Sequence, residues 1–158
     1  MNQHEEYARA ARVFNVLTFQ ISQPNSWSVA KRVLIADDDG IVRNIVKTFL
    51  TMNLDVVCEE AADGIEAVER ANQSKPDLIV LDFAMPNLNG AQAAQALKRS
   101  MPEVPIVLYT AFEIPIKMIQ DVGFDAIVSK PNGMDKLAEC VRMLLTNRPF
   151  QFDRSASA

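Results

Sequence analysis

The stretch Val33-Leu34-Ile35-Ala36-Asp37-Asp38-Asp39 decides the fold. Four apolar residues in an unbroken run suit a strand covered on both faces, because a half-exposed strand would alternate apolar and polar. The run stops abruptly on three carboxylates. Residues 41–52 follow, with Val42, Ile45, Val46 and Phe49 at helical spacing, which predicts a helix laid back over that strand. The same unit then recurs. Val56-Val57-Cys58 precedes a helical pattern over 64–74, and Leu78-Ile79-Val80-Leu81 precedes one over 91–100. Ile106-Val107-Leu108-Tyr109 precedes a short apolar helix over 114–122, with Pro115 as its first helical residue and Gly123 as its stop. Ala126-Ile127-Val128 precedes a last helix over 135–146. Strand–helix alternation of this kind predicts an α/β fold with a parallel sheet, since each right-handed crossover needs a helix to return the chain. Five units are too few to close an eight-fold barrel, so an open doubly wound sheet is expected. In such sheets ligands bind beyond the carboxyl ends of the strands.

Composition bounds the function classes. The 158 residues are 49% hydrophobic and 23% charged, which is ordinary for a globular chain and excludes wholesale disorder. No run of about 18 uncharged apolar residues is present, so no spanning helix is predicted. Sixteen Lys plus Arg against twenty Asp plus Glu give a net charge of −4. A protein that binds nucleic acid on its own would carry a basic surface to neutralise phosphates, so direct nucleic-acid binding is not expected. Cys58 and Cys140 lie far apart and form no CxxC pair; two buried thiols in a reducing compartment are expected rather than a disulfide. The N-terminus has no secretory pattern, and a cytoplasmic location is the expectation.

The carboxyl ends of the predicted strands carry the chemistry. Strand one ends on Asp37-Asp38-Asp39, strand three on Asp82, strand four on Thr110 and strand five on Lys130-Pro131. Asp39 is expected only to cap the next helix. Strand two offers Glu59 and Glu60, which a sheet edge would hold away from the others. Asp37, Asp38 and Asp82 in one crevice would repel one another unless a cation joins them. A hard divalent cation suits oxygen ligands, and Mg2+ (or Mn2+) suits a site of few carboxylates that also receives phosphoryl oxygens. A carboxylate nucleophile, a metal, a lysine and a hydroxyl together form a phosphoryl-transfer constellation.

These residues resemble the receiver domain of two-component response regulators over residues 32–145. The resemblance rests on Val33 to Asp39 followed by Arg43, on Asp63-Gly64, and on Pro76-Asp77-Leu78-Ile79-Val80-Leu81-Asp82. It continues through Met85-Pro86 and Gly90, then Pro105 to Leu108 leading to Thr110-Ala111, and Gly123 seven residues before Lys130-Pro131. The resemblance implies a flavodoxin-like (βα)5 fold with strand order 2-1-3-4-5. It implies that Asp82 is the phosphoacceptor for a histidine kinase or a histidine phosphotransfer protein. It assigns Asp37, Asp38, Asp82 and the backbone carbonyl of Ala84 to the metal, Thr110 and Lys130 to the phosphoryl group, and a cis Pro131 after Lys130. One departure stands out: the family usually has Tyr or Phe three residues before the lysine, and here that switch position is Ile127.

Three further expectations follow. Residues 31–146 form the receiver and 147–158 a flexible tail, while 1–30 hold an amphipathic helix over about 5–20 and a linker. The stripe Tyr7, Ala11, Phe14, Leu17 or Thr18, and Ile21 could pack on the receiver, stay disordered, or serve as a dimerisation or partner helix. Ile114, Ile116, Met118 and Ile127 form either a partner surface or extra core contact. The chain is expected to be no enzyme but a single-domain regulator, similar to chemotaxis regulators, that signals by protein–protein contact, a homodimer being left open. The alternative is an atypical receiver that works as an interaction module without phosphorylation.

Overall fold

A computed structural model describes residues 29–130 and 133–146. The expected N-terminal helix, the cis Pro131 and the C-terminal tail lie outside the described residues. Five strands, β1 (Lys31–Ala36), β2 (Val56–Ala61), β3 (Leu78–Leu81), β4 (Ile106–Thr110) and β5 (Ala126–Ser129), alternate with five helices. The helices are α1 (Gly40–Asn53), α2 (Gly64–Ser74), α3 (Gly90–Ser100), α4 (Ile116–Val122) and α5 (Met134–Leu145). All strand pairs are parallel and the order is β2-β1-β3-β4-β5. This is the open doubly wound sheet expected from the alternation, in the flavodoxin-like order that the resemblance implies.

The continuous apolar runs are central strands because both of their faces are covered. Val33, Ile35, Val80 and Val107 point into a core shared with Val46 and Leu50 of α1 and Leu137 and Val141 of α5. Leu34, Ile79, Leu81 and Ile106 point into a second core with Ala67 and Ala71 of α2 and Ala93, Ala94 and Leu97 of α3. Alanines on the inner faces of α2 and α3 let those helices sit close to the sheet. Leu137 is fully buried between sheet and α5, and Leu137→Ala is expected to cost about 3 kcal/mol through lost transfer energy and the cavity left behind. A thermal melt of that variant checks the figure.

Several boundaries differ from the pattern reading, each for a physical reason. β2 extends through Glu59 and Glu60 to Ala61, since an edge strand keeps charged side chains in water. Helix α4 starts at Ile116, with Pro115 as its N-cap and no side-chain cap bond. A residue before proline is steered out of the helical region, so Ile114 cannot join it. Gly123 does close α4, in the left-handed conformation at φ 78°. On α1 the buried face is Val46 and Leu50, while Ile45, read from spacing as inward, is 53% exposed. Val42 and Phe49 are partly buried against the same core. Both cysteines are free and buried, and burial pushes the Cys58 thiol up to about 11.

Candidate functional site

Register puts the strand ends side by side. Ala36 pairs with Leu81, so Asp37 and Asp82 leave adjacent strands at the same level. Thr110 pairs with Ser129, so Lys130 follows β5 at the height where Thr110 ends β4. The crossover that inserts β3 between β1 and β4 thereby gathers four residues spread over 93 positions of chain. Asp37, Asp82 and Thr110 are buried polar residues, whereas Asp38 lies exposed at the rim.

Lys130 bridges the two buried carboxylates. Its Nζ donates to Asp37 Oδ2 at 2.7 Å and lies 3.1 Å from Asp82 Oδ1. Asp82 Oδ1 is buried and faces Lys130 as an ion pair, with no further hydrogen-bond donor on it among the described residues. Burial pushes the Asp82 carboxyl above the usual range, and the nearby Lys130 charge only partly offsets this. For Lys130, burial alone would lower the pKa, but the bond to Asp37 and the two carboxylate charges hold it above the ordinary lysine value. The other oxygen of Asp37 accepts the Asp39 backbone N–H at 3.0 Å. Asp39 caps α1 as expected, accepting from Ile41 N at 2.8 Å.

Asp37, Asp38 and Asp82 each offer a carboxylate oxygen, and these lie within 4.8 Å of one another. One amine cannot neutralise three carboxylates, and it must be shared between Asp37 and Asp82. The donor set therefore fits a hard cation held by oxygens. Ala84 sits two residues beyond Asp82 in the β3–α3 loop, partly buried. Thr110 is buried at the end of β4, where its Oγ1 accepts the Phe112 N–H at 3.2 Å.

Several supporting residues were not assigned roles from the sequence. Arg43, quoted only as part of a motif, donates from Nη1 to the carbonyls of Asp37 at 2.7 Å and Asp38 at 3.3 Å. Its Nε lies 3.4 Å from Glu60, which also pairs with Lys47 at 2.8 Å. Glu60 is thus off the pocket but steadies the arginine that holds the acidic loop. Asn87 donates to Asp63 Oδ2 at 2.9 Å, tying the β2–α2 loop to the β3–α3 loop. Tyr109 lies under Lys130, with Nζ 5.9 Å from the ring centroid. Only the one-residue offset between Tyr109 and Thr110 signals this, since alternate residues of a strand face opposite ways.

The apolar residues around α4 divide. Phe112 and Ile116 are exposed, while Ile114 and Ile127 are partly buried. Met118 packs against the second core, and Val122 is buried in it. Phe112 meets Phe83 with ring centroids 6.5 Å apart.

Lys130→Met is expected to destabilise the protein by roughly 2 kcal/mol at neutral pH, because it strands two buried carboxylates without their cation. The sign with pH follows from the raised Asp82 carboxyl. Protonation removes the unpaired charge, so the deficit shrinks as pH falls, and urea titrations at neutral and mildly acidic pH check it.

The profile of the response regulator receiver domain matches residues 33–142 of this chain. Response regulator MprA of Mycobacterium ulcerans is 33% identical over 129 residues, covering 80% of this chain and 55% of that protein. Response regulator protein VraR of Staphylococcus saprophyticus is 29% identical over 119 residues, covering 73% and 57%. The chain spans about half the length of these curated relatives. Among solved structures, the receiver domain of Francisella response regulator 1452 matches at 29% identity with a TM-score of 0.68, covering 74% of this chain and 98% of that one. A CheY-like receiver domain protein from Methanospirillum hungatei matches at 22% identity with a TM-score of 0.69, covering 74% and 94%, a likeness of fold.

Proposed function

The chain belongs to the response regulator receiver domain family, and from that premise we propose that Asp82 accepts a phosphoryl group from a histidine kinase or a histidine phosphotransfer protein. The observation that carries this reading is Asp82 itself: a buried carboxylate at a strand end, ion-paired through one oxygen to Lys130 and beside two more carboxylates. Asp37, Asp38, Asp82 and the Ala84 carbonyl would hold Mg2+ (or Mn2+). When bound, the ion supplies positive charge for the phosphoryl oxygens.

In the step itself, an Asp82 carboxylate oxygen forms an O–P bond as the P–N bond of the donor phosphohistidine breaks. The donor imidazole, protonated on its other nitrogen, leaves as neutral imidazole. Lys130 is already within 3.1 Å of Asp82 and needs little movement to pair with an incoming phosphoryl oxygen. Thr110 contributes its hydroxyl as a further donor. The new dianion then biases the β4–α4 region, and the altered surface is read by a protein partner. Phosphate uptake and signalling by contact, rather than turnover of a substrate, is the activity in this reading. The single-domain organisation expected from the sequence enters it in one respect: the surfaces that change are those of the receiver itself.

The test is to incubate the full chain with a small phosphodonor and Mg2+, then follow intact mass. One hydroxylamine-sensitive phosphate, absent when the metal is chelated and mapped to Asp82, supports the reading. Absence of label, or label elsewhere, overturns it. Ile127 favours a second reading, in which the fold serves as an interaction module without phosphorylation. Its aliphatic side chain is partly buried where the family usually places a ring that moves with the hydroxyl residue. Partner capture that is unchanged by Asp82→Asn would select this second reading.

A further inference from the structure

Tyr109 is a buried aromatic that stands in the row of the acidic pocket. Ala36 pairs with Leu81 and Leu81 with Leu108, so the next residues along, Asp37, Asp82 and Tyr109, lie side by side at one level. Tyr109 in turn pairs with Val128 of β5. Lys130 follows two residues later, and alternation along the chain returns it to the same face, over the ring. Its Nζ is 5.9 Å from the ring centroid. Ile127 pairs with Leu108 and belongs to the opposite face, so the ring at this corner of the sheet is on the α5 side.

Two contacts hold the ring in place. It packs in the core shared with α1 and α5, and its hydroxyl donates to Met134 Sδ at 3.4 Å, at the first residue of α5. Burial pushes the phenol above its ordinary value and the Lys130 charge offsets only part of that, so it stays a neutral donor. The ring is therefore a fixed, uncharged partner for an ammonium on a flexible four-carbon stem. The Lys130 side chain is 21% exposed, so without such a partner the same stem can turn its head toward water.

We infer that Tyr109 is the positioning residue of Lys130: its ring face holds the ammonium over Asp37 and Asp82, where an incoming phosphoryl oxygen is met. The inference rests on Asp82 as the phosphoacceptor. On that reading Asp37 and Asp82 are both shared with a cation, and Asp82 becomes an acyl phosphate. Of the three partners of Lys130, the ring is the one that neither change engages, so it keeps Nζ at the pocket while the other two change. A cation–π contact gains strength where water is excluded, as it is at this buried ring.

The experiment compares three variants of the full chain. Tyr109→Leu removes the ring, Tyr109→Phe keeps it and removes only the hydroxyl, and Val107→Ala loosens the same core one step down β4. Two rates are read at one fixed pH. The first is reductive methylation of Lys130, mapped by mass and set against the exposed Lys75. The second is initial label uptake from acetyl phosphate with Mg2+. Tyr109→Leu is expected to speed methylation roughly fivefold and to slow uptake by about the same factor. Tyr109→Phe and Val107→Ala are expected to stay within about twofold of the unchanged chain on both, since each keeps the ring. A Tyr109→Leu protein methylated no faster than the unchanged chain, or labelled as fast as it, overturns the inference. So does a Tyr109→Phe or Val107→Ala protein that shifts as far as Tyr109→Leu. If the unchanged chain itself takes no label, it is the Asp82 reading that falls, and the methylation contrast alone supports or overturns the hold of the ring on Lys130.

Discussion

Asp82→Asn is expected to abolish covalent phosphoryl uptake while leaving the protein folded. The amide has the shape of the carboxylate but lacks its nucleophilic charge, and no other side chain occupies its place. Asp37 accepts a bond from Lys130 through Oδ2 and from the Asp39 N–H through Oδ1, so both its oxygens are engaged. Asp38 lies exposed at the rim, whereas Asp82 is buried beside Lys130. Stability is expected to hold or rise slightly. The substitution removes a buried carboxylate that shares one amine with Asp37, and Lys130 keeps its 2.7 Å bond to Asp37. Intact mass after phosphodonor treatment, alongside a thermal melt, separates loss of chemistry from loss of fold. A residual stoichiometric label on Asp82→Asn would sink the assignment of the nucleophile.

Gly90→Ala is expected to produce the second large effect, this time on fold and site together. A Cβ at Gly90 would collide with the backbone carbonyl of Asp82 and press on the Cα of Phe83. Neither obstacle is the flexible end of a side chain, so the loop itself must move. The Gly90 N–H also donates to Phe83 O at 2.8 Å, which fixes the start of α3 against the residue after Asp82. The expected cost is about 3 kcal/mol, or a fall in Tm of roughly 10 °C. Label uptake should fall as well, because the displaced atoms belong to Asp82 and its neighbour. Gly123→Ala is the informative contrast. That site has open space around it but a φ of 78°, so only backbone strain of about 1 kcal/mol is expected. A Gly90→Ala protein as stable and as readily labelled as the Gly123→Ala protein would contradict the close-approach account.

Gly64 repeats the device on the neighbouring loop, where a Cβ would strike the carbonyl of Leu88. With Asn87 bonded to Asp63, the β2–α2 and β3–α3 loops brace each other around Asp82. The preorganisation of the pocket therefore depends on backbone packing as much as on its charged residues. No helix among the described residues is long and apolar enough to cross a membrane.

Local sequence determined a great deal here, because local patterns are what the chain's own period controls. Runs such as Leu34–Ala36 and Leu78–Leu81 lack alternation and are short, as strands covered on both faces are. The stripes between them can only return the chain across the sheet. Asp37, Asp82, Thr110 and Lys130 were legible as strand-end residues for that reason, and Asp39 as a cap. Tertiary structure alone decided what these residues meet. The order β2-β1-β3-β4-β5 is a choice among ways of laying down the same units, and it brings Lys130 onto Asp37 across 93 residues. Periodicity marks Ile45 as apolar but cannot say whether it faces the core or water, since α1 has two stripes and the sheet covers one. Arg43, Gly64 and Gly90 stood in the quoted motifs, but what each of them touches was equally hidden. Their partners lie on other segments, and a hydrogen bond or a collision between segments leaves no mark in the spacing of either one.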